Sequence, residues 1–255
     1  MEILTGRDLI IVRQPDSIFQ ARGIIENGTF ASRWHFSFDK YYDREYSHFG
    51  TLRVFNDDTL TPGATWPLHP HRNIEVVTYC AGGVFRHADE HGEGDILRKG
   101  WVQHTTVGRG MSHSEINDNQ DEAMRFVQMW FLPSSTDLEP ELYRKPVEKQ
   151  ERTNRLLPLV SSNAADEGAL PIASDARVFS SFLKNGRAVE HHLDTGRGAY
   201  LYVLEGGTVR ANGHTIPALG AARVIGVPDL HIKAEADVEL LLVEVPLAVN
   251  NRPPG

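Results

Sequence analysis

The chain has 255 residues with 26 Lys and Arg, 34 Asp and Glu, a net charge of -8 and a pI near 5.8. With 40% hydrophobic and 24% charged residues, it reads as a soluble globular protein of one large domain or two ordinary ones. No apolar run approaches the roughly 18 residues of a membrane span, the stretch Met1 to Gln14 is broken by Glu2, Arg7, Asp8 and Arg13, and the lone Cys80 excludes an intramolecular disulfide, so neither secretion nor a membrane is expected and a cytoplasmic location is.

In chain order, residues 51–55, 74–79, 125–131, 199–204 and 238–245 are short runs of Val, Leu, Ile, Thr and aromatics that read as strands. Turn signals separate them: Asn56-Asp57-Asp58, Thr61-Pro62-Gly63, Gly82-Gly83, His91-Gly92-Glu93-Gly94, Gly206-Gly207 and Asn212-Gly213. Short strands at such spacing predict an all-β barrel or sandwich rather than βαβ units. Residues 133–155 are polar, carry Pro133, Pro140 and Pro146, and lack a strand pattern, so they are expected to connect two domains, 1–133 and 134–255. Strand, Gly-Gly turn and strand recur in 76–86 and 200–210, as in a duplicated β-domain. The basic residues Arg144, Lys145, Lys149, Arg152 and Arg155 alternate with Glu148 and Glu151 and read as a solvated face. Direct nucleic-acid binding is therefore not expected, while binding to a DNA-bound protein stays open. The tail, residues 250–255, is expected to fray.

The chemistry concentrates in the 12 histidines. In His69-Pro70-His71 two imidazoles share one strand face, because side chains two apart point the same way. His113-Ser114-Glu115, 42 residues after His71, repeats the arrangement with one His and one carboxylate. Strands that faced each other across a barrel would bring three nitrogens and one oxygen together. Spacing alone leaves a metal site and ordinary strand histidines both open. His87, Asp89 and His91 form a competing set, which runs into a Gly turn and reads as an exposed hairpin tip. His191-His192 point to opposite faces and cannot chelate in that way. Cys80 reads as a small buried hydrophobe.

Gly63, His69-x-His71, Glu75 and Gly82 stand at the spacing of the first cupin signature. Gly110, His113 and Asn117 give part of the second, with Gly108-Arg109-Gly110 where Pro-x-Gly is usual. The string His69-Pro70-His71-Arg72, Glu75, Thr78-Tyr79 and Gly108-Arg109-Gly110-x-x-His113-Ser114-Glu115 closely resembles the pirin family. So do Trp34-His35-Phe36-Ser37-Phe38, Tyr41-Tyr42-Asp43 and Leu52-Arg53-Val54 with Asn56-Asp57-Asp58. The likeness is dense over residues 31–133 and thinner to about 246, most like the shorter bacterial members.

The resemblance implies two cupin barrels in tandem and one transition-metal ion on His69, His71, His113 and Glu115. Iron(II) is the expected metal, with zinc, manganese, nickel or copper also suited to these ligands. Glu75, a ligand in many other cupins, is not expected to be one here. It is read as a partner behind the ligands or as pointing elsewhere. Asn73-Ile74 replaces a common Gly-Phe and is expected to alter the pocket wall only. The implied activity is quercetin 2,3-dioxygenation of a flavonol-like substrate with O2, releasing carbon monoxide and a depside, with Glu115 as base. Gln103 and His104 are read as ordinary strand positions, with a place in the pocket as the alternative. The alternative is a redox-sensing regulator that binds a protein partner, and a different metal-assisted cupin enzyme, such as an isomerase, is a third reading. After Pro133 no His-x-His recurs, and His191, His192, His214 and His231 form no such pair. The second barrel is therefore expected to hold no metal and to be filled by Leu201, Val203, Val209, Ile216, Val224, Ile232, Leu240 and Leu242.

Overall fold

A computed structural model describes residues 9–92 and 94–248. The first half contains β1 (Leu9–Arg13), β2 (Phe19–Ile25), β3 (Gly28–Trp34), β4 (Leu52–Leu60), β5 (Thr65–His71) and β6 (Glu75–Gly82). It continues through β7 (Val84–Asp89), β8 (Gly94–Arg98), β9 (Val102–Thr106), β10 (Met111–Ile116), β11 (Met124–Phe131) and β12 (Glu141–Lys145). The second half runs β13 (Leu157–Ser161), β14 (Arg177–Leu183), β15 (Ala188–His192), β16 (Arg197–Gly206) and β17 (Val209–Ala211). It ends with β18 (His214–Ile216), β19 (Ala221–Ile225), β20 (Asp229–Ala234) and β21 (Val238–Pro246). The tail at 250–255 lies outside the described residues. Among the described residues no helix is long and apolar enough to cross a membrane.

Four sheets result. A seven-stranded sheet, β12-β9-β6-β11-β4-β3-β2, packs on the four-stranded sheet β5-β10-β7-β8, with Leu60, Cys80, Phe85, Leu97 and Phe126 between them. The six-stranded sheet β1-β19-β16-β21-β14-β13 packs likewise on β15-β20-β17-β18. The two large sheets then bury each other's outer faces, through Phe55, Val77, Tyr79, Val127 and Met129 against Val178, Tyr200, Tyr202, Leu241 and Val243. This double burial explains the unbroken apolar runs in the sequence. Along β21 the even residues Leu240 and Leu242 point into the second barrel and the odd residues Leu241 and Val243 into the shared layer. All eight side chains expected to fill the second barrel lie in its core. Asn212-Gly213 joins β17 to β18 with both φ angles positive, 44° and 87°, as a tight hairpin turn demands.

The structure departs from the sequence reading in three places. Asn56-Asp57-Asp58 is no turn but the buried middle of β4. The Asp57 charge is tolerated there because its carboxylate accepts hydrogen bonds from Arg125 at 2.8 and 2.7 Å and from the Tyr202 hydroxyl at 2.5 Å. The segment 133–155 contains β12, which pairs with β9 at the edge of the seven-stranded sheet. An edge strand with one solvated face needs few apolar residues, which is why its polar sequence concealed it. It also contains a 3-10 turn, Lys149–Arg152, whose buried Arg152 forms an ion pair with Glu239 at 3.0 Å. Finally, β1 pairs with β19, so residues 9–13 complete the sheet of the second half.

Candidate metal centre

Strands β5 and β10 run antiparallel with His69 directly opposite His113 and His71 opposite Met111. A shift in register between His113 and Glu115 bends β10 there, a bulge that re-aims the side chains around it. His69, His71 and His113 consequently converge, each offering a nitrogen, with these atoms within 4.8 Å of one another. Their rings stand nearly perpendicular in every pair, at 86°, 72° and 76°, with centroids 4.7–4.8 Å apart. Glu115 completes the group: its Oε1 lies 3.5 Å from His113 Nε2 and its Oε2 lies 4.0 Å from His69 Nε2. The four residues that spacing and resemblance singled out are thus brought together.

Their electrostatics suit a cation. Burial, reinforced by the neighbouring histidines, pushes His71 down to about 4, and burial with His69 pushes His113 down to about 3, so both are neutral at pH 7 with a lone pair to offer. His69 Nδ1 is 2.8 Å from the Pro67 carbonyl. A carbonyl only accepts, so that nitrogen carries a proton and Nε2 is the one left to face a metal. Two buried atoms in the group, His71 Nε2 and Glu115 Oε2, have no hydrogen-bond partner. Orphaned buried polar atoms are costly, and a cation shared among them is the arrangement that would satisfy both.

Behind the group stand Gln128 and Trp130, which the sequence did not single out, and His87, which it placed in a competing set. Gln128 donates to Glu115 Oε1 at 2.5 Å, and Trp130 Nε1 donates to Gln128 Oε1 at 3.0 Å. Trp130 also meets His71 edge to face, with centroids 4.8 Å apart. His87 is 3% exposed, with Nε2 2.8 Å from His113 Nδ1. This corrects the hairpin-tip reading for His87, although His91 does sit exposed at the turn. Strand β7 continues inward as far as Asp89 before Gly92 turns the chain, so His87 faces the interior.

A cavity of about 450 Å³, counting its open mouth, adjoins His69, His71 and Glu115. Trp34, Phe38, Trp66, Phe126 and Trp130 give it aromatic walls, and Asn56, Asp58 and Gln128 place polar groups among them. Burial, with the charges of Asp57 and Glu115, raises the Asp58 carboxyl to about 8 against the opposing pull of Ser32, so it is protonated at neutral pH. Gln103 and His104 do not line this cavity, so of their two readings the strand positions hold and the pocket does not. Strand β9 lies between β6 and β12, where Gln103 accepts from Arg144 and the His104 ring meets Glu75 at 2.8 Å. Glu75 itself turns away from the histidines, bonding Thr106 and the Ala173 amide of the second half. Asn73 takes a positive φ of 53°, a conformation that glycine adopts freely and Asn tolerates, and it lies outside the cavity wall.

The pirin family profile matches residues 18–131, and a profile described as the quercetinase C-terminal cupin domain matches 159–245. A pirin-like protein of Caulobacter vibrioides is 35% identical over 235 residues, covering 92% of this chain and 99% of the relative. A Pseudomonas aeruginosa protein provisionally assigned as a quercetin 2,3-dioxygenase is 39% identical, covering 92% of this chain and 100% of its own. The Escherichia coli K12 protein named quercetin 2,3-dioxygenase is 30% identical over 227 residues, covering 88% and 95%. Among solved structures, the bacterial pirin YhhW of Escherichia coli in complex with nickel(II) superposes with a TM-score of 0.85 at 26% identity, covering 94% of this chain and 100% of that one. The two halves are therefore tandem cupin domains.

Proposed function

The chain belongs to the pirin family, and from that premise we propose that it is a metal-dependent dioxygenase that opens the heterocycle of a flavonol-type substrate. The observation that carries this reading is the cluster of three imidazoles and one carboxylate, with two buried atoms left without partners, beside an aromatic-walled cavity. His69, His71, His113 and Glu115 would hold one divalent ion, and an N3O set without thiolate suits iron(II), manganese, nickel, copper or zinc. Iron(II) is our assignment. When bound, the ion would acidify a substrate hydroxyl and bring it together with dioxygen.

Each remaining residue has a role that follows from its place. Glu115, held at Oε1 by Gln128, is the base that accepts the hydroxyl proton. The Trp and Phe walls take planar aromatic rings by stacking and exclude water. Asp58 keeps its proton at neutral pH and can donate it in a hydrogen bond to a second substrate oxygen. Aromatic walls beside the ligand cluster favour a small aromatic substrate over the regulatory reading, in which no such cleft is needed.

Oxygen uptake and carbon monoxide release by the iron-reconstituted chain, across a panel of flavonols, test the proposal. Wild type should turn over at least one of them. Glu115→Gln should keep part of its metal and lose turnover by roughly 10²–10⁴-fold, the usual worth of a positioned base. An iron-loaded wild type inert toward every flavonol would overturn the assignment.

A further inference from the structure

We infer that His87 is a positioning residue for the metal centre, its Nε2 accepting the Nδ1 proton of His113 and so holding the His113 Nε2 lone pair toward the ion. The inference rests on the metal reading above. His87 and Glu115 are directly paired across β7 and β10, so the backbone that sets one also sets the other. The two imidazoles meet at 2.8 Å between His87 Nε2 and His113 Nδ1, with rings at 88° and centroids 4.8 Å apart. Both residues are 3% exposed or less, which keeps water from replacing either partner.

Only two directions are open to such a contact between neutral rings. If His87 donated, His113 would carry its proton on Nε2, the nitrogen that stands 3.2 Å from His69 Nε2 and 3.5 Å from Glu115 Oε1. That nitrogen would then have no lone pair for a metal. If His87 accepts, the lone pair lies where the other three ligand groups converge. A ligating histidine usually hands its second N–H to a carboxylate, a carbonyl or water. Here the acceptor is a neutral ring, which fixes the tautomer without placing a second negative charge beside Glu115. His87 cannot itself be a ligand to the same ion, because His113 stands between them.

Two measurements on the full-length zinc-loaded chain test this. With ¹⁵N-labelled histidine, NMR should find His113 protonated at Nδ1 and show a coupling across the hydrogen bond to His87 Nε2. Zinc affinity, read by competition with a chelator, should fall roughly 10–100-fold in His87→Leu, the usual effect of removing such a partner. It should return to within a few-fold of wild type in His87→Gln, whose Oε1 can accept the same proton. Absence of the coupling in zinc-loaded wild type overturns the inference, whether or not the leucine variant folds. So does a leucine variant that binds zinc as wild type does, or a glutamine variant as weak as the leucine one when both melt like wild type. Failure of wild type to bind any metal would instead remove the metal reading on which the inference rests.

Discussion

Two barrels of like topology enclose opposite interiors. In the first, the inner face of the seven-stranded sheet presents Asn56, Asp58, Gln128 and Trp130 toward β5 and β10, and the space between remains an aromatic-walled cavity with polar groups and histidines at its edge. In the second, the corresponding space is closed by Leu201, Val203, Val224, Leu240 and Leu242, all fully buried. A strand scaffold buries its inward residues whatever they are. The candidate ligand groups of the first barrel have neighbours that hold them, Gln128 at Glu115 and His87 at His113. The second barrel instead contributes a wall, since its six-stranded sheet covers the outer face of the first.

The most drastic way to break that relation is to remove the second half. A chain ending at Pro133 would lack β12, strip β9 of its edge partner, and expose Phe55, Val77, Val127 and Met129 to water. It should aggregate or lose metal while retaining all four ligand residues. Light scattering and metal analysis check this, and a monodisperse, metal-loaded fragment would show that the halves are independent. Next in size, His71→Ala or His113→Ala in the full chain should abolish most metal binding, measured by elemental analysis. Leu240→Ala should do the reverse. It should cost about 2–5 kcal/mol in denaturant unfolding, as buried Leu→Ala changes do, and leave the metal content at the wild-type value.

Sequence showed the four candidate ligands because a period of two in a Gly-bounded strand is a pattern, and His69-x-His71 and His113-x-Glu115 both carry it. It did not show Gln128 or Asp58 as site residues, since a single polar residue in a strand has no spacing to read. Their meaning depends on β11 and β4 being adjacent in the sheet. His87 was legible as a histidine and misplaced by the nearby turn. Strand β12 was hidden by its own polarity, and so was the exchange by which β1 joins the second half, a pairing that no local signal encodes. The fold class, by contrast, was plain from strand lengths and turns.

A smaller effect sharpens the contrast further. The Asp58 carboxyl stands at about 8 in the folded chain, above its ordinary value of 3.8. A group raised on folding stabilises fully below its unfolded pKa and loses that contribution as pH rises through the folded one. Wild type should therefore lose stability between about pH 4 and 8 relative to Asp58→Asn, which cannot ionise. The melting temperature of wild type should fall relative to that of Asp58→Asn across that window and level off above it. A gap independent of pH would mean that Asp58 is ionised in the folded chain.

The central claim is that the chain holds one ion, in the first barrel. Anomalous diffraction at a metal absorption edge, on crystals of iron- or nickel-loaded full-length protein, tests it most directly. The expected map has a single strong peak among His69 Nε2, His71 Nε2, His113 Nε2 and a Glu115 carboxylate oxygen, and none after residue 155. A peak inside the second barrel, or a loaded protein with no peak between β5 and β10, would contradict it.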